Sequence, residues 1–217
     1  MAAGALVSCS TYEPMAPDER FEDGILTNTR LTDLVTVKQN AEGKAFLQYG
    51  SYALMPQGIE FVRQERAMAS MIVRPEMQDG YYRCELDWLE PIEEGYFCPD
   101  PSSAPKTPGY GLDIIFQSEL TRVEDGYLSV HYTTWWGDLP THHDFYLVGG
   151  TDPDDPYLLR LVQDERGDAQ VTQAEGLVCF DINSLADTAG ETITITLCWT
   201  GLNGIEGSTH FGFKNRE

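Results

Sequence analysis

The chain has 217 residues, 41% hydrophobic and 11% aromatic, with 35 Asp and Glu against 14 Lys and Arg for a net charge of −21. That composition supplies a packed core and excludes global disorder. So few cations cannot form a basic face, which excludes nucleic acid and anionic membrane surfaces as partners of the folded body. No run approaches the ~18 apolar residues of a membrane span.

Residues 1–9 read Met-Ala-Ala-Gly-Ala-Leu-Val-Ser-Cys. The tetrad Leu6-Val7-Ser8-Cys9 has the form of a bacterial lipobox: a branched apolar residue, two small residues beside the cut, and a thiol free to carry diacylglycerol. The stretch before Cys9 has no Lys or Arg and falls short of the about 15–30 residues of a signal peptide. Residues 1–24 are therefore expected to be a truncated lipoprotein signal and a polar, proline-bearing tether. Cys9 is the expected lipidation site, and the membrane is the expected partner through that anchor.

Residues 25–98 alternate short β-like runs with turn signals. Candidate strands are 33–38, 44–49, 52–55, 67–73 and 80–89, with a hairpin-like connection at Asn40-Ala41-Glu42-Gly43. Such closely spaced short strands fit a small OB-like barrel. Residues 99–109 then hold Pro99, Pro101, Pro105 and Pro108, which suit neither a helix nor a sheet interior and mark a linker.

Residues 110–217 carry seven candidate strands: 112–117, 127–133, 142–148, 157–162, 177–182, 192–199 and 210–213. Helical periodicity is almost absent, so the expected fold is all-β, a small barrel followed by a seven-stranded antiparallel β-sandwich. Tyr96 and Phe97 are expected to lean the barrel on the sandwich.

Setting Cys9 aside leaves Cys84, Cys98, Cys179 and Cys198. A hairpin of strands 177–182 and 192–199 would put Cys179 out of register with Cys198, while a Cys84–Cys98 bond stays open. No CxxC spacing suggests zinc.

Strands 127–133 and 142–148 read as a hairpin around Gly137-Asp138, with His131 opposite Asp144 and His142 nearby on the non-core face. Two imidazoles and a carboxylate there could hold a metal; the preferred reading is a cross-strand ion pair. Asp152, Asp154 and Asp155 could attract Ca²⁺ but sit in Thr-Asp-Pro-Asp-Asp-Pro, better read as a stiff turn without an EF-hand's glycine and distant Glu. Of Trp135 and Trp136, one should be core and the other free to contact a ligand, because consecutive strand residues face opposite ways. No metal or cofactor is expected. Gly-x-Ser-x-Gly, HExxH and Gly-rich phosphate loops are missing, and Ser51, Ser102, Ser103, Ser118, Ser129 and Ser184 have no His near them in sequence.

The run Val123-Glu124-Asp125-Gly126-Tyr127-Leu128-Ser129-Val130-His131-Tyr132, with Trp136-Gly137 and Phe145-Tyr146-Leu147-Val148, resembles the C-terminal domain of NigD-like lipoproteins of Bacteroidetes. Asp155-Pro156-Tyr157 and Gly176-Leu177-Val178-Cys179-Phe180-Asp181 extend the likeness. The resemblance implies an OB domain and a β-sandwich behind a lipidated cysteine, in the cell envelope at the outer membrane, with no catalytic residues. The expected role is a non-enzymatic binding or assembly module with a protein or glycan partner. Bacteriocin immunity is an alternative.

Overall fold

The computed structural model describes residues 24–105, 109–139 and 141–216. Cys9 and residues 10–23 of the expected tether lie outside the described residues. Strands β1 (Arg30–Gln39), β2 (Ala45–Tyr49), β3 (Tyr52–Pro56), β4 (Glu65–Gln78) and β5 (Tyr81–Pro91) close into a barrel in the order β1-β2-β3-β5-β4. Only the β3–β5 pairing is parallel. This is an OB-like barrel, as expected.

Alternation turns Val35, Val37, Leu47, Leu54, Met71, Val73 and Cys84 into the barrel core. The β1–β2 connection forms because Asn40 Oδ1 accepts from the amides of Glu42 (3.1 Å) and Lys44 (2.9 Å), with Gly43 at φ 81°. Between β4 and β5, Asp79 (φ 53°) and Gly80 (φ 85°) make a two-residue turn that needs left-handed backbone at both positions. β4 runs past its expected end at Val73 and through Pro75. The register breaks between Val73 and Met77, so the proline lies where no ladder bond is required.

The chain enters the sandwich before the proline-rich segment, not within it. β6 (Glu93–Glu94) pairs in parallel with β13 (Thr172–Asp181), and β7 (Tyr96–Cys98) in parallel with β11 (Asp144–Val148). Residues 93–98, grouped with the barrel from sequence, therefore give each sheet of the sandwich an edge strand. Phe97 packs against the sandwich core, and Tyr96 stacks on Tyr146 on the outer face of the same sheet, so the contacts shown for both lie in the sandwich. Pro101–Ser103 form a single 3₁₀ turn capped by Asp100.

The remaining strands are β8 (Asp113–Ile114), β9 (Arg122–Glu124), β10 (Tyr127–Trp136), β12 (Leu158–Asp164), β14 (Ile193–Thr200) and β15 (Glu206–Phe213). One five-stranded sheet has the order β6-β13-β10-β8, with β9 also on β10; the other is β15-β14-β12-β11-β7. The sandwich thus exceeds seven strands and contains parallel pairs, β12 with β14 among them. β12 and β14 run parallel because a single strand of the facing sheet, β13, lies between them in the chain.

The expected hairpins of 127–133 with 142–148 and of 177–182 with 192–199 do not form. β10 pairs with β13, and β11 with β12, in different sheets. Both β10 and β11 turn an apolar face inward, and Tyr132 meets Phe145 with ring centroids 4.6 Å apart. The strands pack across the core, in sheets ~10 Å apart, instead of pairing beside each other.

The outer face of β10 and β13 docks on the barrel. Leu34, Ile92, Tyr127 and Cys179 are buried there with Met68, Leu120 and Leu177. Beside them, Arg66 pairs with Glu124 and donates to Thr36 Oγ1 at 2.9 Å. Arg122 reaches Glu124 at 3.2 Å and Asp33 at 2.8 Å, and Lys38 meets Asp125 at 3.0 Å. Barrel and sandwich share an apolar seam with ionic bonds across it.

Candidate functional site

On the outer wall of the barrel, the β1–β2 connection and the β4–β5 turn border a 480 Å³ cavity lined by Asn40, Glu42, Lys44, Met55, Gln57, Asp79, Tyr81 and Arg83, among others. A second hollow of 490 Å³, lined by Pro56, Ile59, Glu60 and Phe61, shares Lys44 and Met55 with it. The two form one open groove across the ends of β2, β3 and β5. Parallel pairing sets Met55 beside Arg83, and Tyr81 is fixed by an edge contact with Phe46, centroids 5.4 Å apart.

At the rim Lys44 Nζ lies 2.9 Å from Glu42. Their hydrogen bond and opposite charge lower the Glu42 pKa and raise that of Lys44. With Arg83, Asp79 and Glu60 the groove holds two cations and three anions. Such a mixture gives no electrostatic track for a phosphate backbone and suits an uncharged or mixed polar ligand. Of the groove residues the sequence marked only the hairpin-like connection Asn40-Ala41-Glu42-Gly43, as a turn and not as a site.

The residues singled out from sequence are dispersed. Trp136 turns into the sandwich and stacks on His143, 4.1 Å between centroids and 8° between planes. Trp135, register partner of Gln173, faces outward and is half-buried. His131 lies in the other sheet from His142 and Asp144, so the expected pairing of His131 with Asp144 is replaced. His131 Nδ1 meets Ser118 Oγ at 2.7 Å and Nε2 meets Glu175 at 3.2 Å. Asp144 instead holds Arg166, with Nε at 2.6 Å. Asp152 and Asp155 accept from the amides of Asp154 and Tyr157, both at 2.9 Å, as turn-forming carboxylates do. Among the described residues no group of three or more His, Cys, Asp or Glu is arranged to hold a metal.

Ser118 therefore does have a histidine beside it, brought by the fold and not by sequence. The Ser118–His131–Glu175 row has the residue types of a hydrolytic relay, but its acid is 67% exposed and Ser118 Oγ also accepts from the Leu120 amide. A solvated carboxylate orients an imidazole weakly. None of the barrel-groove residues borders the row.

Cys84, Cys98, Cys179 and Cys198 are free. Cys84 sits in the barrel core and Cys98 in the sandwich, which rules out their bond. Burial pushes the Cys84 and Cys179 thiols up to about 12, so they are inert at neutral pH.

A buried polar chain at one end of the sandwich escaped the sequence reading. Thr134 Oγ1 donates to Gln163 Oε1 at 2.8 Å, and Gln163 Nε2 donates to His143 Nδ1 at 2.7 Å. His143 Nε2 then donates to Asp168 at 3.0 Å. Strand parity was the available signal, since it puts His143 on the same face as Phe145 and Leu147.

The closed five-stranded barrel docked on a two-sheet sandwich, with a polar groove on the barrel's outer wall, defines an all-β two-unit protein. Residues 102–213 match the family described as NigD-like C-terminal beta sandwich domain, and the chain belongs to that family. Among solved structures it is similar to a protein described as toxin-related from Parabacteroides distasonis, at 21% identity and TM-score 0.68, covering 86% of this chain and 94% of that one. It is also similar to a NigD-like immunity protein from Bacteroides caccae, at 16% identity and TM-score 0.58, covering 84% and 93%. A protein described as a lipoprotein from Bacteroides fragilis aligns at 14% identity and TM-score 0.61, covering 87% and 100%. These likenesses show the fold. No curated protein matches the chain.

Proposed function

We propose that this chain is a non-enzymatic, lipid-anchored protein of the cell envelope at the outer membrane, and that it works by binding a protein or glycan partner through the groove on the barrel's outer wall. The open groove of mixed charge lined by Lys44, Met55, Tyr81 and Arg83 carries the binding reading. The tetrad Leu6-Val7-Ser8-Cys9 and the lipoprotein described among the structural neighbours support the anchor. At about 0.8 kcal/mol per buried CH₂, two or more acyl chains on Cys9 hold the protein at the membrane. A second reading, immunity against a bacteriocin, draws on the neighbour described as a NigD-like immunity protein and would place a toxin segment in the same groove.

Expressed behind a complete export signal in a Bacteroides host, the chain should incorporate labelled palmitate and fractionate with membranes, and Cys9→Ser should do neither. A photo-crosslinking residue at Gln57, inside the groove, should then give an envelope adduct that one at the distant Thr194 does not. Equal palmitate labelling of Cys9→Ser removes the anchor from this reading, and matching adducts from both positions remove the groove.

A further inference from the structure

We propose that the stacked rings of Tyr96 and Tyr146, on the outer face of the sandwich, form a second binding site whose ligand is a neutral saccharide. The two tyrosines are register partners on β7 and β11, with centroids 5.1 Å apart and planes at 27°. Tyr96 is 54% exposed. A tyrosine this open on a sheet face offers an apolar ring with a wet hydroxyl.

Polar groups border the rings. Arg166 grips Asp144 through Nε and Nη2 near the two rings. Asp144 is only 3% exposed, yet its Oδ1 has no hydrogen-bond partner. The largely exposed His142 stands 3.5 Å from that oxygen and 3.4 Å from Glu93. A buried carboxylate oxygen without a donor is costly, and a ligand hydroxyl entering beside His142 supplies one.

The charges select the occupant. Glu93, Asp144 and Asp164 around the site outnumber Arg166 and His142, which repels an anionic ligand. A cation would compete with Arg166 for Asp144. A purely apolar chain would leave the Asp144 oxygen unmet. A pyranose combines a C–H face that lies on Tyr96 with hydroxyls that meet Arg166, His142 and Asp144. The site is remote in sequence from the barrel groove and stands without it.

The test is affinity electrophoresis of the full chain in gels cast with amylopectin, barley β-glucan, xylan or α-mannan, and with dextran sulfate as the polyanion. At least one neutral polymer should retard the chain and dextran sulfate should not. Tyr96→Ala should weaken retardation about tenfold, and Tyr96→Phe should retain it. An unaltered melting curve for Tyr96→Ala ties the loss to the ring and not to folding. Retardation by no neutral polymer, or retardation that survives Tyr96→Ala, overturns the proposal. Loss in Tyr81→Ala alone overturns it too, and assigns the saccharide to the barrel groove.

Discussion

Asp168 shows how one side chain closes the open end of the sandwich. It accepts from the amide of Gly137 at 2.8 Å, from His143 at 3.0 Å and from the Ala169 amide at 2.9 Å. The Gly137 amide above all, then His143 and the Ala169 amide, hold its carboxyl below the ordinary aspartate range. The folded chain therefore binds that proton less readily than the unfolded chain. The resulting stability is complete above the ordinary aspartate value of about 3.9 and is lost as pH falls through the lowered folded value. Asp168→Asn should lower the urea midpoint at pH 7, and the gap from the native chain should shrink in acid. A gap that is the same at pH 7 and in acid would show that the charge contributes nothing.

Strand pairs set where large rings can lie. Tyr132 on β10 faces Gly176 on β13, and a Cβ at Gly176 would lie 2.4 Å from the Tyr132 hydroxyl and 2.5 Å from Cζ. The ring covers its neighbour's backbone, and from there it reaches Phe145 in the facing sheet. Gly176→Ala should cost about 1–3 kcal/mol through forced repacking, read as a lower denaturation midpoint with unchanged slope. An unchanged midpoint would mean that Tyr132 swings aside freely and does not key the two sheets together.

The whole molecule is joined by its seam. Arg66 and Glu124 come from different halves of the chain and are both buried, with Arg122, Asp33 and Thr36 completing the bonding around them. Removing one member of such a set strands the other's charge, at about 3–5 kcal/mol. A seam of this kind favours a fixed orientation over two modules on a free linker. We propose that the functional boundary lies near Pro91, because β6 and β7 belong to the sandwich edges. A fragment starting at Glu90 should then melt cooperatively and at a higher temperature than one starting at Gly109, which lacks both edge strands. Equal melting temperatures by calorimetry would return the boundary to residues 99–109.

Sequence by itself determined the fold class, most of the strands, and which face of each is apolar. Period-2 alternation is local, so Leu128, Val130 and Tyr132, or Ile195 and Leu197, declare their inward side without any partner in view. Turn chemistry is local as well, and Asn40–Gly43 could be read directly. Alternation does not say whether a strand's neighbour lies beside it or across the core. That choice belongs to the tertiary structure, and it separated His131 from Asp144 while joining His142 to Glu93. It also brought Ser118 to His131, Arg66 to Glu124 and Tyr96 to Tyr146. Each of these pairs depends on long-range register and on which sheet a strand enters. Buried polar and aromatic contacts of that sort are set by the packing of the entire chain, beyond the reach of any local window.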